Sequence, residues 1–433
     1  MSIFLNFDDP TFDQRFEELL NSDRNDNSDV NRVVFDILAD VKTRGDEAIL
    51  ELTHRFDKIE LDTEKLRFTK NEIEELSSKI ALDERKALDL AATRIRVYHE
   101  RQKPEDVCWV DEIGVELGWR WTPLDSVGIY VPGGLASYPS SVLMNAIPAK
   151  VAGVKRIAMV VPTPNGKINP TVLYAAKISG VDEIYRIGGA QAIAGLAYGT
   201  QTILPVDKIT GPGNSYVAAA KRQVFGKVGI DMIAGPSEVL VIADENNDPE
   251  WIALDLLSQA EHDESAQSIL ITTSQKLADL VEKEIEKILL MLARRDIAGP
   301  SWGNFGTIIT VPSLEVAAEL SNKIAPEHLE LCVAKPKKLL KKISNAGAVF
   351  MGCWTPEAVG DYIGGANHVL PTARSARFSS GLSVVDFIKR TTTTFVSPEA
   401  LKSIGPSIET LAASEGLEAH RLSVSSRLKK LNR

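Results

Sequence analysis

Apolar residues in the first hundred positions recur at helical spacing. Val33, Val34, Ile37, Leu38 and Val41 fall three or four apart, Ile49 and Leu52 resume the step, and residues 76–98 continue it. This predicts a helical N-terminal region over residues 1–125. From about residue 125 short apolar runs alternate with helical ones. Residues 127–131, 156–161 and 183–187 read as strands, and 141–151 and 170–178 as helices. Strand-like runs separated by helices imply a parallel sheet with crossover helices. The alternation restarts after Gly235-Pro236, with strands at 238–243, 268–272, 307–311 and 348–351 and helices at 249–260 and 275–292. The expected organisation is two α/β units, 126–235 and 236–374. Beyond Ser375 the pattern breaks. Residues 398–433 look helical but lack a full apolar stripe, so 375–433 read as a tail that packs on something else, another subunit included.

Composition narrows the class. A chain of 433 residues allows two or three domains, and 44% hydrophobic with 25% charged residues is ordinary for a soluble globular protein. The 49 Lys and Arg against 59 Asp and Glu leave a net charge of -10, which gives no general attraction to nucleic acid or to a membrane surface. The three cysteines, Cys108, Cys332 and Cys353, have no CxxC spacing and form neither a disulfide framework nor a sulfur-rich zinc site. Residues 1–10 lack a basic and then apolar leader, and no run is long enough to span a membrane. The cytoplasm, or an organelle entered by other means, is the expected location.

Chemistry concentrates at glycine turns and histidines. Tyr130-Val131-Pro132-Gly133-Gly134, Ile187-Gly188-Gly189-Ala190-Gln191 and Thr210-Gly211-Pro212-Gly213-Asn214 each follow an expected strand. Ligands of open α/β sheets bind at that edge, where glycine lets backbone N–H groups approach a phosphate. None matches GxGxxG, and plain βα turns remain the alternative.

Of the six histidines, His262 stands three residues after Gln259, on one face of an expected helix, where oxygen and nitrogen could grip a metal. Alone, the pair fits a polar helix turn better. Glu327-His328 precedes the alternating run Leu329-Glu330-Leu331-Cys332-Val333; a carboxylate beside an imidazole makes an acid–base pair, or an idle strand edge. Asp361 lies in an expected glycine-rich loop as a ligand or a turn former. His420, near Glu415 and Glu418, reads alone as a surface residue. His54 and His99 are expected to be structural or at the surface, and His368 is left open.

Taken together these segments, with Ala234-Gly235-Pro236-Ser237-Glu238-Val239-Leu240, resemble the L-histidinol dehydrogenase family over nearly the whole chain. The resemblance implies two incomplete Rossmann-like domains of the aldehyde-dehydrogenase kind, a helical N-terminal region, and an intertwined homodimer joined by an extended tail. It implies one zinc ion per subunit on Gln259, His262, Asp361 and His420, and Glu327 and His328 as the catalytic acid–base pair. Ser237, Gln259, His262, His328, Asp361, Glu415 and His420 are the implied contacts to L-histidinol, with the tail residues supplied by the neighbouring subunit. Tyr130, Gln191 and Asn214 are the implied contacts to NAD. His328 is then expected to be neutral when it takes the alcohol proton. The rivals are a thiol-dependent aldehyde dehydrogenase, with Cys353 as its candidate nucleophile, and a non-catalytic nucleotide- or metal-binding protein.

Overall fold

The computed structural model describes residues 2–21, 28–133, 138–233 and 235–431. Gly134 of the first glycine turn and Ala234 of the Ala234–Leu240 motif lie outside the described residues. The chain opens with β1 (Ile3–Asn6), followed after a run of helices by β2 (Val107–Val110) and β3 (Val115–Pro123). Next come β4 (Ser126–Tyr130), β5 (Arg156–Val160), β6 (Glu183–Tyr185), β7 (Lys208–Thr210) and β8 (Gly229–Ile230). Then follow β9 (Glu238–Ala243), β10 (Gln267–Thr272), β11 (Thr307–Thr310), β12 (His328–Cys332), β13 (Ala348–Met351) and β14 (Ile388–Val396).

These strands build two parallel sheets, ordered β6-β5-β4-β7-β8 and β1-β11-β10-β9-β12-β13, and an antiparallel sheet β14-β3-β2. Leaving β1 aside, both parallel sheets are wound alike. The chain steps outward from a central strand, returns past it, and steps outward the other way. The switch points of this doubly wound order fall between β4 and β7 and between β9 and β12.

The elements follow from local chemistry. β9 and β10 are buried at every residue, which is why their sequences run apolar without alternation. Helix Gln275–Leu289 starts where the Ser274 hydroxyl accepts from Leu277 N–H, and Leu277, Ala278, Val281, Ile285 and Ile288 form one buried stripe. Helix Pro170–Ser179 opens on proline after an Asn169 cap and stops at Gly180, whose φ of 83° suits glycine.

The described residues among 1–125 carry five helices and, besides them, strands β1, β2 and β3, which the helical reading did not include. β1 pairs with β11, and Leu5, Phe12, Phe16 and Leu19 join the core of the second sheet. Val34, Leu38, Val41 and Ile49 cover one face of the first sheet, and Ala91, Ala92 and Ile95 cover the other. β2 and β3 are strands, and β14 pairs with all nine residues of β3, from Ile388↔Pro123 to Val396↔Val115. Beyond β14, helices Pro398–Ser414 and Glu418–Leu431 pack on each other and bury only Ala400, Gly405, Ala412 and Ser425. Leu411, Leu417 and Leu422 stay exposed. Among the described residues no helix is long and apolar enough to cross a membrane.

Candidate active site

Period-two alternation along β12 sorts its side chains. Leu329 and Leu331 enter the apolar core on one face, while Cys332, and with it Glu330 and His328, turn to the other. Helix Pro249–Ala260 brings Asp255 and Gln259, one turn apart, to that face. Helix Glu357–Tyr362 brings Glu357 and Asp361, again one turn apart. Asp361 is therefore helical, where a loop was expected; six residues containing Gly360 are too few to show a periodic pattern.

The ring of His328 is the centre. Its Nδ1 lies 3.0 Å from Glu357 Oε1 and 3.3 Å from Gln259 Oε1. Flanked by two acceptors, Nδ1 carries a proton, so in the neutral ring the lone pair belongs to Nε2. Nε2 is buried without a hydrogen-bond partner and lies 4.0 Å from Asp361 Oδ1. A cavity of about 350 Å³ opens here, lined by His328, Phe350, Asp361, His368 and Tyr98 among others. Glu327, the residue before β12, is 6% exposed, and its Oε2 accepts from Glu238 N–H at 3.0 Å. Ser237 precedes that amide at the start of β9, so both acid–base candidates and Ser237 meet at the amino edge of the second sheet.

Burial and crowded carboxyls set the protonation. Burial pulls His328 down, but the charges of Glu357, Glu327 and Asp361 outweigh it and push the imidazole up to about 10. Carboxyl groups crowding the ring thus favour its charged form in the protein alone. Burial pushes Glu327 up to about 8, against the pull of His328 and the Glu238 amide. Burial and then Glu357 raise Asp361, while His328, His368 and His262 draw it down. Burial lowers His368, opposed by Asp361, and its Nε2 is a second buried nitrogen without a partner.

The remaining ligand candidates divide. His262 lies in the turn after its helix, so it does not share a helical face with the buried Gln259. Its Nδ1 is held by Ser258 O at 2.9 Å, and its charge acts on Asp361. Ring nitrogen and carboxylate oxygens of His328, Glu357 and Asp361 lie within 4.8 Å of one another. Since Glu357 and His328 are bonded to each other, Asp361 is the member left to turn to a cation. With Gln259 and His262 it offers mixed oxygen and nitrogen donors beside orphaned imidazole nitrogens, a set that fits zinc. Glu415 and His420 are exposed on the C-terminal helical pair.

At the carboxyl edge of the first sheet the glycine turns converge. The Tyr130 hydroxyl accepts from Gly189 N–H at 3.1 Å, and burial pushes its phenol up to about 12. Gly211, at φ 109°, sits where any Cβ would collide with Tyr130 O, so the switch point between β4 and β7 admits only glycine there. Lys221 pairs with Asp231 in full burial and donates to Gly211 O at 2.9 Å, and Asp231 accepts from Gly211 N–H at 2.8 Å. Gln191 is buried with Oε1 unpartnered. Asn214 caps helix Ser215–Val224 by accepting from Val217 N–H at 3.1 Å.

The sequence reading missed Glu357. Its only signal was its place one turn before Asp361, just after Pro356, at the start of a short helix. Cys332 is no thiol nucleophile: it is buried, and burial and Glu330 push its thiol far up, against nucleophilic character. Cys353 is exposed.

Comparison with known proteins shows the family and the fold. The family described as histidinol dehydrogenase matches residues 20–428. The chain is 64% identical over 432 residues to the histidinol dehydrogenase of Ruegeria pomeroyi, covering 100% of both chains. It is 62% identical to that of Cereibacter sphaeroides, again over 100% of both. A crystal structure of histidinol dehydrogenase from Elizabethkingia anophelis superposes with a TM-score of 0.95 at 38% identity, covering 100% of this chain and 99% of that one.

Proposed function

The chain belongs to the histidinol dehydrogenase family and is an oxidoreductase; from that premise we propose that it carries out the zinc-dependent, NAD-linked four-electron oxidation of L-histidinol to L-histidine through bound L-histidinaldehyde. The observation that carries the proposal is the His328 ring, with Nδ1 held by Glu357 and Nε2 bare, buried and beside Asp361.

In this reading Nε2 of His328 takes the alcohol proton in the first oxidation and a proton from the hydrated aldehyde in the second. Glu327 draws a proton from the water that hydrates the aldehyde, from its buried place beside the ring. Ser237, at the start of β9, orients the substrate. Gln259, His262 and Asp361, with His420 of a second copy, would hold one zinc ion per subunit. When bound there, zinc would supply positive charge to orient the substrate nitrogens and to counter the carboxylates crowding His328. Tyr130, Gln191 and Asn214 at the carboxyl edge of the first sheet would contact NAD, which would supply the hydride acceptor. The exposed tail bearing Glu415 and His420, with its apolar residues uncovered, favours a homodimer in which each tail completes the neighbour's site.

The deciding assay is NAD reduction with L-histidinol, before and after chelation. Turnover that falls on chelation and returns with zinc is the expected result; unchanged turnover would remove the metal from the reading. Glu327→Gln should slow the overall alcohol-to-acid reaction more than oxidation to the aldehyde level, and equal losses would remove the water-activating role.

A further inference from the structure

Beneath the acid–base pair lies a group of acids for which the reading above has no use. Glu330 is fully buried on the same face of β12 as His328, and its carboxyl is hydrogen-bonded to that of Asp255. Its Oε1 accepts from Glu357 N–H at 2.7 Å, at the first residue of helix Glu357–Tyr362. Cys332 Sγ lies 3.8 Å from its other oxygen. The groups that face the carboxyls are Glu357 from its helix and Asp255 and Glu330 from each other, with the Cys332 thiol beside them.

Two carboxyl groups in contact inside a protein hold one proton between them, because the second charge has no compensation there. Glu330 is the deeper of the two and keeps it; burial raises it well above the carboxylate range, while Asp255, half-buried, is pushed up to about 6. Protonated Glu330 then has one oxygen to donate to Asp255 and one to accept from the Glu357 amide.

We propose that Asp255 and Glu330 form a carboxylate–carboxylic acid pair that pins the first turn of helix Glu357–Tyr362 to β12 and so positions Glu357 against Nδ1 of His328. Both acids are positioning residues, acting through Glu357 on the ring. The proposal rests on the reading of His328 as the base, and it adds a supporting tier joining three elements through one proton.

The test uses the full-length holoenzyme. Glu330→Gln keeps an acceptor for Glu357 N–H and a donor for Asp255, so it should retain most of kcat. Glu330→Leu keeps neither and should lose about tenfold or more in kcat, with KM and zinc content unchanged. The infrared difference spectrum of wild type minus Glu330→Gln should show the carbonyl band of one neutral buried carboxylic acid. Wild-type kcat in Glu330→Leu, or a difference spectrum with only carboxylate bands, overturns the proposal. Should Glu330→Leu not fold, the infrared comparison decides alone. Full turnover by His328→Asn would instead sink the functional reading, while the band would still report on the pair.

Discussion

The two α/β units are wound the same way and gather their candidate groups at opposite edges. In the first, glycines line the switch point between β4 and β7 at the carboxyl ends of the strands, the edge where ligands of such sheets generally bind. In the second, the equivalent point is filled by the chain itself. Asn247 Nδ2 donates to Cys332 O at 2.6 Å, and Asp244 Oδ2 accepts from Ala334 N–H at 2.7 Å. Its chemistry gathers at the amino ends, around Glu327, His328 and Ser237. Winding order therefore locates a crevice, but only the side chains at each edge show whether it is used. The first unit offers backbone and neutral groups over a self-paired Lys221 and Asp231, suited to cradling a ligand; the second offers crowded titratable groups, suited to moving protons.

The sharpest way to break this division is His328→Asn. It should lower kcat by about 10² to 10⁴, the usual range for losing a general base, with zinc content and unfolding temperature unchanged. Loss of zinc in step with activity would make His328 a ligand and return the proton-moving edge to doubt.

In the first unit the largest effect should be on stability. Lys221→Met leaves Asp231 buried without its cation and should cost about 3–5 kcal/mol by denaturant unfolding. A cost near zero would show that the turn at Gly211 needs no support from below.

Glu357→Gln should come next, lowering kcat by about 10- to 100-fold. Its sign with pH is fixed. Glu357 raises His328, whose working form is neutral, so removing that charge lowers the ring's pKa and moves the acid limb of the kcat profile to lower pH. A limb that moves up or stays would exclude Glu357 as the partner of Nδ1.

The smallest effect is expected at Asn214→Ala, about 1 kcal/mol of stability for a lost helix cap. A KM for NAD that rises with it would give Asn214 a binding role as well; an unchanged KM would leave it a cap.

How much of this could be read from the sequence depended on burial. The helices and strands of the two units were legible where their apolar runs are long and inward on regular periods: residues 238–243 and 249–260 match β9 and the helix Pro249–Ala260 to the residue. β2 and β14 were not. All four residues of β2 are exposed, and β14 carries Thr391 to Thr394 on a strand exposed at most positions. A strand wet on both faces has no alternation to read. β1 is four residues long with its partner three hundred positions away. At the site, Glu327-His328 showed as an acid beside an imidazole, and the glycine turns showed as turns. That these segments belong together came from the family resemblance, since no local spacing reports a contact between β12 and the helix of Glu357.

The placement of β1 carries one more consequence, for the order in which the protein is made. Its partner β11 is synthesised long after the strands β4 to β8, which are contiguous in the chain and can close their own sheet as soon as they emerge. Until β11 arrives, Ile3, Phe4 and Leu5 have no ladder to join. The first unit is in effect an insertion within the second, and a ribosome must deliver the inner body before the outer one can be sealed. Such a high-contact-order closure comes late and slowly. A change at Phe4 or Leu5 would register in how many chains reach the finished state as well as in that state's core.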